Sequence, residues 1–139
     1  MTTDSMVATE SDAPALHPAA PDRRILIVDT DAALALALAS CGYDTSVTHS
    51  ISDARALLAE QPFAAVLTDL VLPDGGRRWL AELRAKQPRL PVLVVTAEPW
   101  AALPLDRVYG LADAVLSKPT EPGVLVAMLN RVVSERGDA

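Results

Sequence analysis

Two kinds of apolar segment alternate along the chain. Short continuous apolar runs, such as 24–28 and 91–96, have the composition of strands that are buried on both faces of a parallel sheet. The segments between them place apolar residues on one face at helical spacing, as Ala54, Leu57 and Leu58 do. This alternation predicts an α/β fold in which five parallel strands alternate with five helices.

The bounds of these elements follow from residues that favour or oppose each conformation. Gly42 is expected to end the first helix, and Ser52 and Thr120 to cap the second and fifth helices. Pro99 and Pro104 disfavour a continuous fourth helix, so we expect a loop and then a short helix. The predicted strands are 24–28, 43–48, 63–68, 91–96 and 114–116, and the other predicted helices are 32–40, 53–61, 77–86 and 121–135.

Residues 1–22 differ in composition from the rest of the chain. They contain four acidic residues, three prolines and no Lys or Arg, and their apolar residues follow neither the helix nor the strand period. This composition predicts a disordered acidic tail. The folded domain is therefore expected over 23–136, with a short C-terminal tail at 137–139.

Composition narrows the classes of function. The net charge of −6 argues against a nucleic-acid-binding surface. No apolar run approaches the roughly 20 residues that a membrane span needs. A single cysteine, Cys41, cannot form an internal disulfide, which fits a reducing cytoplasm, and we expect it to be a small core residue at a helix end. We therefore expect a cytoplasmic protein without nucleic-acid or membrane partners.

Polar side chains follow four of the five predicted strands. Asp29 and Asp31 come after the first strand, Asp69 after the third, Thr96 after the fourth and Lys118 after the fifth. Right-handed crossovers bring the carboxyl ends of parallel strands to one edge of the sheet, where ligands bind in open α/β folds. These residues are therefore expected to share one pocket.

The residue types in this pocket suit phosphoryl chemistry. Neighbouring carboxylates repel one another, and a hard cation such as Mg²⁺, which takes one or two carboxylates and keeps several waters, relieves that repulsion. An ammonium and a hydroxyl can orient a phosphoryl group and neutralise its charge. A carboxylate can also be the nucleophile and form an aspartyl phosphate. Asp69, at the centre of the sheet edge, is the candidate for that role.

Four segments together resemble a known family. They are 25–29, 68–75, 94–97 and 116–119, and the resemblance extends from residue 24 to residue 133. The chain is similar to the receiver domain of two-component response regulators. This resemblance implies a flavodoxin-like fold with the strand order 2-1-3-4-5.

The resemblance also implies the phosphoryl site. Asp69 would accept a phosphoryl group from a histidine kinase or a phosphotransfer protein. Thr96, Ala97 and Lys118 would bind the phosphoryl oxygens, and the peptide bond between Lys118 and Pro119 would be cis.

The metal site implied by the resemblance departs from the family pattern. Asp29, Asp69 and the backbone carbonyl of Val71 would bind Mg²⁺. The family has a second acid where this chain has Thr30, so the site loses one charge. Either Asp31 reaches into the site or Asp29 ligates the metal directly; otherwise the affinity for Mg²⁺ falls. We expect Mg²⁺ dependence to be weakened but retained.

The predicted switch departs from the family as well. In the family an aromatic residue three positions before the lysine turns inward behind the threonine when the domain is phosphorylated. Here that position is Val115, so the usual coupling to Thr96 cannot operate, and the switch must use another element.

These residues leave two main functional hypotheses. The first is a single-domain, non-enzymatic response regulator that is phosphorylated on Asp69 and signals by contact with a downstream protein, as a monomer or weak homodimer. It would act through the fourth helix, fifth strand and fifth helix, and a phosphorelay intermediate is equally compatible. The second is a pseudo-receiver that binds its partner without phosphorylation, which Thr30 and Val115 favour. A flavin- or nucleotide-binding protein is disfavoured because no Gly-rich loop follows the first strand.

Overall fold

The computed structural model describes residues 23–29, 33–70, 72, 75–97 and 111–137. None of the helices in these residues is both long and apolar enough to cross a lipid bilayer. The strands are β1 (Arg24–Val28), β2 (Asp44–Thr48), β3 (Ala65–Thr68), β4 (Val92–Thr96) and β5 (Ala114–Ser117). The helices are α1 (Ala33–Ala39), α2 (Ile51–Glu60), α3 (Gly76–Lys86) and α4 (Pro122–Gly137).

The five strands form one parallel sheet in the order β2-β1-β3-β4-β5, which confirms the predicted topology. Successive side chains of a strand point to opposite faces. Leu26 and Val28 therefore pack on one face with α2 and α3, whereas Ile25 and Ile27 pack on the other with α1 and α4. The continuous apolar runs are explained by this arrangement, because the central strands have helices on both sides.

The turn after α1 has the hydrogen bonds of a Schellman motif. Tyr43 N donates to Leu38 O over 3.2 Å, and Gly42 N donates to Ala39 O over 3.1 Å. Gly42 has a φ of +92°, which glycine adopts without steric cost, so the predicted helix stop is confirmed. Cys41 lies in this turn and is exposed. The expectation that Cys41 fills the core is therefore wrong.

Two helices begin at positions other than those predicted. Ser50, not Ser52, caps α2, because its hydroxyl accepts a hydrogen bond of 3.1 Å from Asp53 N. The earlier start places Ile51 in the core, where it is 2% exposed. Thr120 does not cap α4; its hydroxyl donates to Ser117 O over 2.7 Å and closes the preceding turn. Pro122 takes the first helical position of α4, which suits its fixed φ and its missing N–H group.

The C-terminal helix α4 buries most of its apolar residues. Leu125, Leu129 and Val132 are in the core, and Met128 packs partly against it. Val124 is 47% exposed, so it lies outside this buried face.

The structure describes four helices rather than five. The short helix expected to begin near Pro104 falls within 98–110, outside the described residues. The predicted acidic tail, Thr30, Asp31 and Val71 also lie outside them.

Arg84 on α3 joins the amino ends of β4 and β5. Its Nη2 donates to Asp113 Oδ2 over 3.0 Å, and the same oxygen accepts a hydrogen bond of 2.8 Å from Val92 N. The side chains of this ion pair are 13% and 15% exposed. The remaining guanidinium donors reach the carbonyl oxygens of Leu111, Pro88 and Leu90 at 2.8, 3.0 and 2.9 Å. One planar cation therefore satisfies acceptors from two segments of the chain, 88–90 and 111–113.

Replacing Arg84 should destabilise the domain. We expect Arg84→Met to lower the free energy of unfolding by about 2–4 kcal/mol, because it removes the counter-charge of the Asp113 carboxylate and the guanidinium donors to three carbonyls. Arg84→Lys should recover only part of the loss, because an ammonium lacks the fork geometry. Urea unfolding followed by circular dichroism measures this. Arg55→Met is the control, since the Arg55 side chain is 52% exposed in its pair with Glu82, and it should cost about 1 kcal/mol or less. Equal losses in the two Met variants would contradict the assigned role of Arg84.

Candidate functional site at the carboxyl edge of the sheet

Three candidate residues continue the hydrogen-bond ladder just beyond their strands. Asp29 N donates to Thr48 O over 3.0 Å, and Asp69 N donates to Val28 O over 3.0 Å. Lys118 N donates in the same way to Thr96 O over 2.9 Å. The parallel register thus holds the backbone of each residue, and the side chains of Asp29, Asp69 and Lys118 meet at the carboxyl edge.

Lys118 contacts both carboxylates. Its Nζ lies 2.7 Å from Asp29 Oδ2 and 3.0 Å from Asp69 Oδ2. Asp29 is 1% exposed and Asp69 is 5% exposed, whereas the Lys118 side chain is 18% exposed. The three charges are therefore largely removed from water, and the group holds one more negative than positive charge when all three are ionised.

The ammonium is stabilised by this arrangement. Burial lowers the pKa of Lys118, but the hydrogen bonds and charges of Asp29 and Asp69 outweigh that effect, so the pKa is raised above its ordinary value of 10.5. A raised folded-state pKa means that the stability supplied by the ammonium is fully present below pH 10.5. That stability is lost as the pH rises through the folded-state pKa.

The other two predicted phosphoryl ligands lie next to this group. Thr96 ends β4 and is 1% exposed, whereas Ala97, the following residue, is exposed. The peptide bond between Lys118 and Pro119 is cis. An open pocket of about 320 Å³ adjoins Lys118, and its wall is formed by Ala33, Leu34, Ala97, Lys118, Pro119 and Thr120. The charged group can thus be approached from the surface of the sheet edge.

The donor set at this edge fits a hard divalent cation. The carboxylates of Asp29 and Asp69 reach the same ammonium, so they are close enough to bind one small ion. Within the described ranges no group of three or more His, Cys, Asp or Glu side chains could hold a metal. A Mg²⁺ ion needs only one or two carboxylates and takes its other ligands from water or backbone carbonyls. Asp31 and Val71, the other predicted contributors, lie outside the described residues, as does Thr30, which replaces the acid of the family.

Val115 is part of the core. It is 6% exposed on β5 and pairs in register with Val94 of β4. A buried valine has no long side chain to move between an outward and an inward position. Residue 115 therefore contributes to core packing on β5.

Sequence reasoning missed three residues around the site. His49 Nδ1 lies 2.8 Å from Asp29 O, within hydrogen-bond distance. Trp79 on α3 donates a buried hydrogen bond to Thr68, the residue before Asp69. His49 follows a strand end, as the predicted residues do, and could have been found by that signal. The partner of Trp79 depends on how α3 packs, which no local pattern encodes.

Comparison with known proteins agrees with this geometry. The family model described as the response regulator receiver domain matches residues 25–130. The chain is 32% identical over 108 residues to the response regulator protein PilR of Pseudomonas aeruginosa, which covers 74% of this chain and 24% of PilR. It is 31% identical over 105 residues to the photosynthetic apparatus regulatory protein RegA of Rhodobacter capsulatus, which covers 72% of this chain and 57% of RegA. The chain thus spans about a quarter of the first relative and just over half of the second.

A solved structure has the same fold over most of the chain. It is a CheY-like response regulator receiver domain protein from Methanospirillum hungatei JF-1, with a TM-score of 0.76 and 26% identity. The match covers 84% of this chain and 97% of that protein.

Removing the shared cation should destabilise the fold in a pH-dependent way. We expect Lys118→Met to lower the free energy of unfolding at neutral pH by about 1–3 kcal/mol, because two buried carboxylates then face each other without a counter-charge. The difference from wild type should hold up to about pH 10 and narrow at higher pH, where wild-type Lys118 also loses its charge. Denaturant unfolding across this pH range measures it.

The control for this prediction is Lys86→Met. Lys86 is 70% exposed, so this variant should change stability by about 0.5 kcal/mol or less. A Lys118→Met variant as stable as wild type at neutral pH would show that the ammonium does not stabilise the carboxylates.

Proposed function

Because this chain belongs to the response regulator receiver domain family, we propose that Asp69 accepts a phosphoryl group from a histidine kinase or a phosphotransfer protein. The observation that carries the proposal is the position of Asp69. Its carboxylate lies at the carboxyl edge of the sheet, 3.0 Å from the Lys118 ammonium, and a second carboxylate, Asp29, contacts the same ammonium.

The proposed step is a transfer from nitrogen to oxygen. A carboxylate oxygen of Asp69 attacks the phosphorus atom of a phosphohistidine, and an O–P bond forms. The N–P bond breaks, and its electron pair stays on the imidazole nitrogen of the donor. The product is an aspartyl phosphate on Asp69 and an unphosphorylated histidine. The protein contributes mainly position and charge, as phosphoryl transfer requires.

Each neighbouring residue has a proposed role in this step. Lys118, already in contact with Asp69, neutralises the phosphoryl oxygens. The Thr96 hydroxyl and the Ala97 backbone N–H donate hydrogen bonds to those oxygens. Asp29 and Asp69 would hold Mg²⁺ with the backbone carbonyl of Val71. The metal, when bound, would offset the negative charge of the carboxylates and the phosphoryl group.

The output of the domain is proposed to be contact with a downstream protein. The net charge of −6 makes a protein partner more compatible with the surface than nucleic acid. The relatives PilR and RegA are longer than this chain, so they do not show that such a domain signals alone. Signalling by this domain alone is therefore part of the proposal. Because Val115 replaces the usual aromatic, we infer that the phosphorylated state is transmitted by another element.

A pseudo-receiver that binds its partner without phosphorylation is the second candidate. The buried Val115, which cannot act as an aromatic switch, favours it. Thr30, where the family has an acid, favours it as well. The contact between Lys118 and Asp69 supports phosphorylation instead, and we rank phosphorylation first.

Phosphorylation can be tested with a small donor. Incubating the protein with acetyl phosphate and Mg²⁺ should add one phosphoryl group, with acetate as the leaving group. Intact-mass spectrometry detects the adduct, and Asp69→Asn, which keeps the shape of the side chain, should show none. If the wild type gains no mass from acetyl phosphate or from a histidine kinase, the pseudo-receiver is the better account.

The metal site can be tested by restoring the missing charge. Thr30→Asp should tighten Mg²⁺ binding by about tenfold, because the affinity of oxygen-ligand sites rises with the number of charged ligands. Calorimetric titration with Mg²⁺ measures the affinity. Ser52→Asp adds the same charge at an exposed position on α2 and should leave the affinity within about twofold of wild type. Equal affinities in the wild type and Thr30→Asp would rule out a metal site at residue 30.

A further inference from the structure

A buried hydrogen-bond relay connects helix α3 to the backbone of Asp69. Trp79 Nε1 donates to Thr68 Oγ1 over 3.2 Å, and Thr68 Oγ1 donates to Asp69 O over 3.0 Å. Trp79 is 2% exposed and Thr68 is 1% exposed. A hydroxyl can donate one hydrogen bond and accept others, so the relay satisfies the indole N–H, the hydroxyl and the carbonyl together.

The relay ends on a peptide group that matters for the proposed reaction. β3 ends at Thr68, and the peptide between Asp69 and Leu70 is where the chain leaves the sheet. Asp69 N is already fixed by its bond of 3.0 Å to Val28 O. The relay fixes Asp69 O, so both backbone polar groups of the residue are held, while its carboxylate is held by Lys118. A small rotation of this backbone would move the attacking oxygen relative to Lys118.

The neighbouring strand provides an internal comparison. Thr48 and Thr68 are the last residues of β2 and β3, and both pair in register with Val28 from opposite sides. Thr48 is also buried, at 6% exposure. Thr48 Oγ1, however, has no hydrogen-bond partner in the part of the chain that the structure describes, whereas Thr68 Oγ1 has two. The position of a buried threonine at the end of a strand therefore does not by itself produce such a relay.

We propose that Thr68 and Trp79 are positioning residues for the phosphoacceptor. They hold the Asp69 backbone so that its carboxylate faces the phosphoryl donor beside Lys118. This inference rests on the proposed phosphorylation of Asp69 and adds α3 to the elements that determine how fast Asp69 reacts. A purely structural hydrogen bond would affect the stability of the domain and leave the reaction rates unchanged.

The test measures reaction rates and stability on the same variants. Thr68→Val removes the hydroxyl and keeps the side-chain shape, Thr68→Ser keeps the hydroxyl, and Trp79→Phe removes the indole N–H. The rate constants for phosphorylation by acetyl phosphate with Mg²⁺, and for the subsequent hydrolysis, are followed by intact mass. Thr48→Val is the matched control, because it removes a buried hydroxyl at the equivalent position of the adjacent strand. Urea unfolding confirms that each variant is folded.

We expect Thr68→Val and Trp79→Phe to slow phosphorylation by about threefold to tenfold, the effect expected from losing one neutral hydrogen bond. Thr68→Ser should restore the rate to within about twofold of wild type, and Thr48→Val should not change it. In a Trp100→Phe background, Trp79 is the only tryptophan of the chain. Its fluorescence should change on phosphorylation, and this change should be lost in Thr68→Val.

Two failures can be distinguished. If Thr68→Val is less stable than the wild type but is phosphorylated equally fast, the positioning role of the relay is overturned and the proposed function stands. A wild type that takes up no phosphoryl group overturns the proposed function, and the relay with it. Equal slowing in Thr48→Val and Thr68→Val would also overturn the relay, because the effect would then follow from loss of any buried hydroxyl.

Discussion

The ammonium of Lys118, held between two buried carboxylates, is the interaction on which the carboxyl edge of the sheet depends. Asp29 and Asp69 follow adjacent parallel strands, and their side chains would repel each other strongly in a site removed from water. Lys118 approaches from a third strand, β5, and lies within 3.0 Å of both. Because the pairing of β5 with β4 brings Lys118 to this edge, that pairing also allows the two acids to stay buried. The same ammonium is in direct contact with the proposed nucleophile.

The two ends of the sheet use a cation in different ways. At the amino ends of β4 and β5, the Arg84 guanidinium is surrounded by one carboxylate and several carbonyls, and the whole group is satisfied internally. At the carboxyl edge, one ammonium faces two carboxylates, so negative charge remains in excess, and an open pocket adjoins it. The first arrangement is typical of a structural anchor. The second leaves an excess of negative charge that a divalent cation can offset, as expected of a reactive site.

The proposed switch departs from the family pattern more than the proposed phosphoryl-binding residues do. Asp69, Thr96 and Lys118, to which we assign the phosphoryl chemistry, end or directly follow β3, β4 and β5. Val115, by contrast, is buried in the sheet and has no side chain that could swing. The relay through Thr68 and Trp79 links the Asp69 backbone to α3. It thus offers a physical connection to the phosphoacceptor that does not pass through residue 115.

The pattern of the sequence by itself determined the strands and the residues that follow them at the sheet edge, and the resemblance to a known family supplied the strand order. Continuous apolar runs specify buried strands, and a polar residue after each run must lie where the strand leaves the core. Only the tertiary structure decided which buried polar atoms find partners. Ser50 rather than Ser52 caps α2, and Thr68 rather than Thr48 joins a hydrogen-bond relay, although each pair looks alike in sequence. The physical reason is the sequence distance over which each feature is determined. Burial follows from a local pattern, whereas the hydrogen bond between Trp79 and Thr68 depends on how a separate helix packs against the sheet.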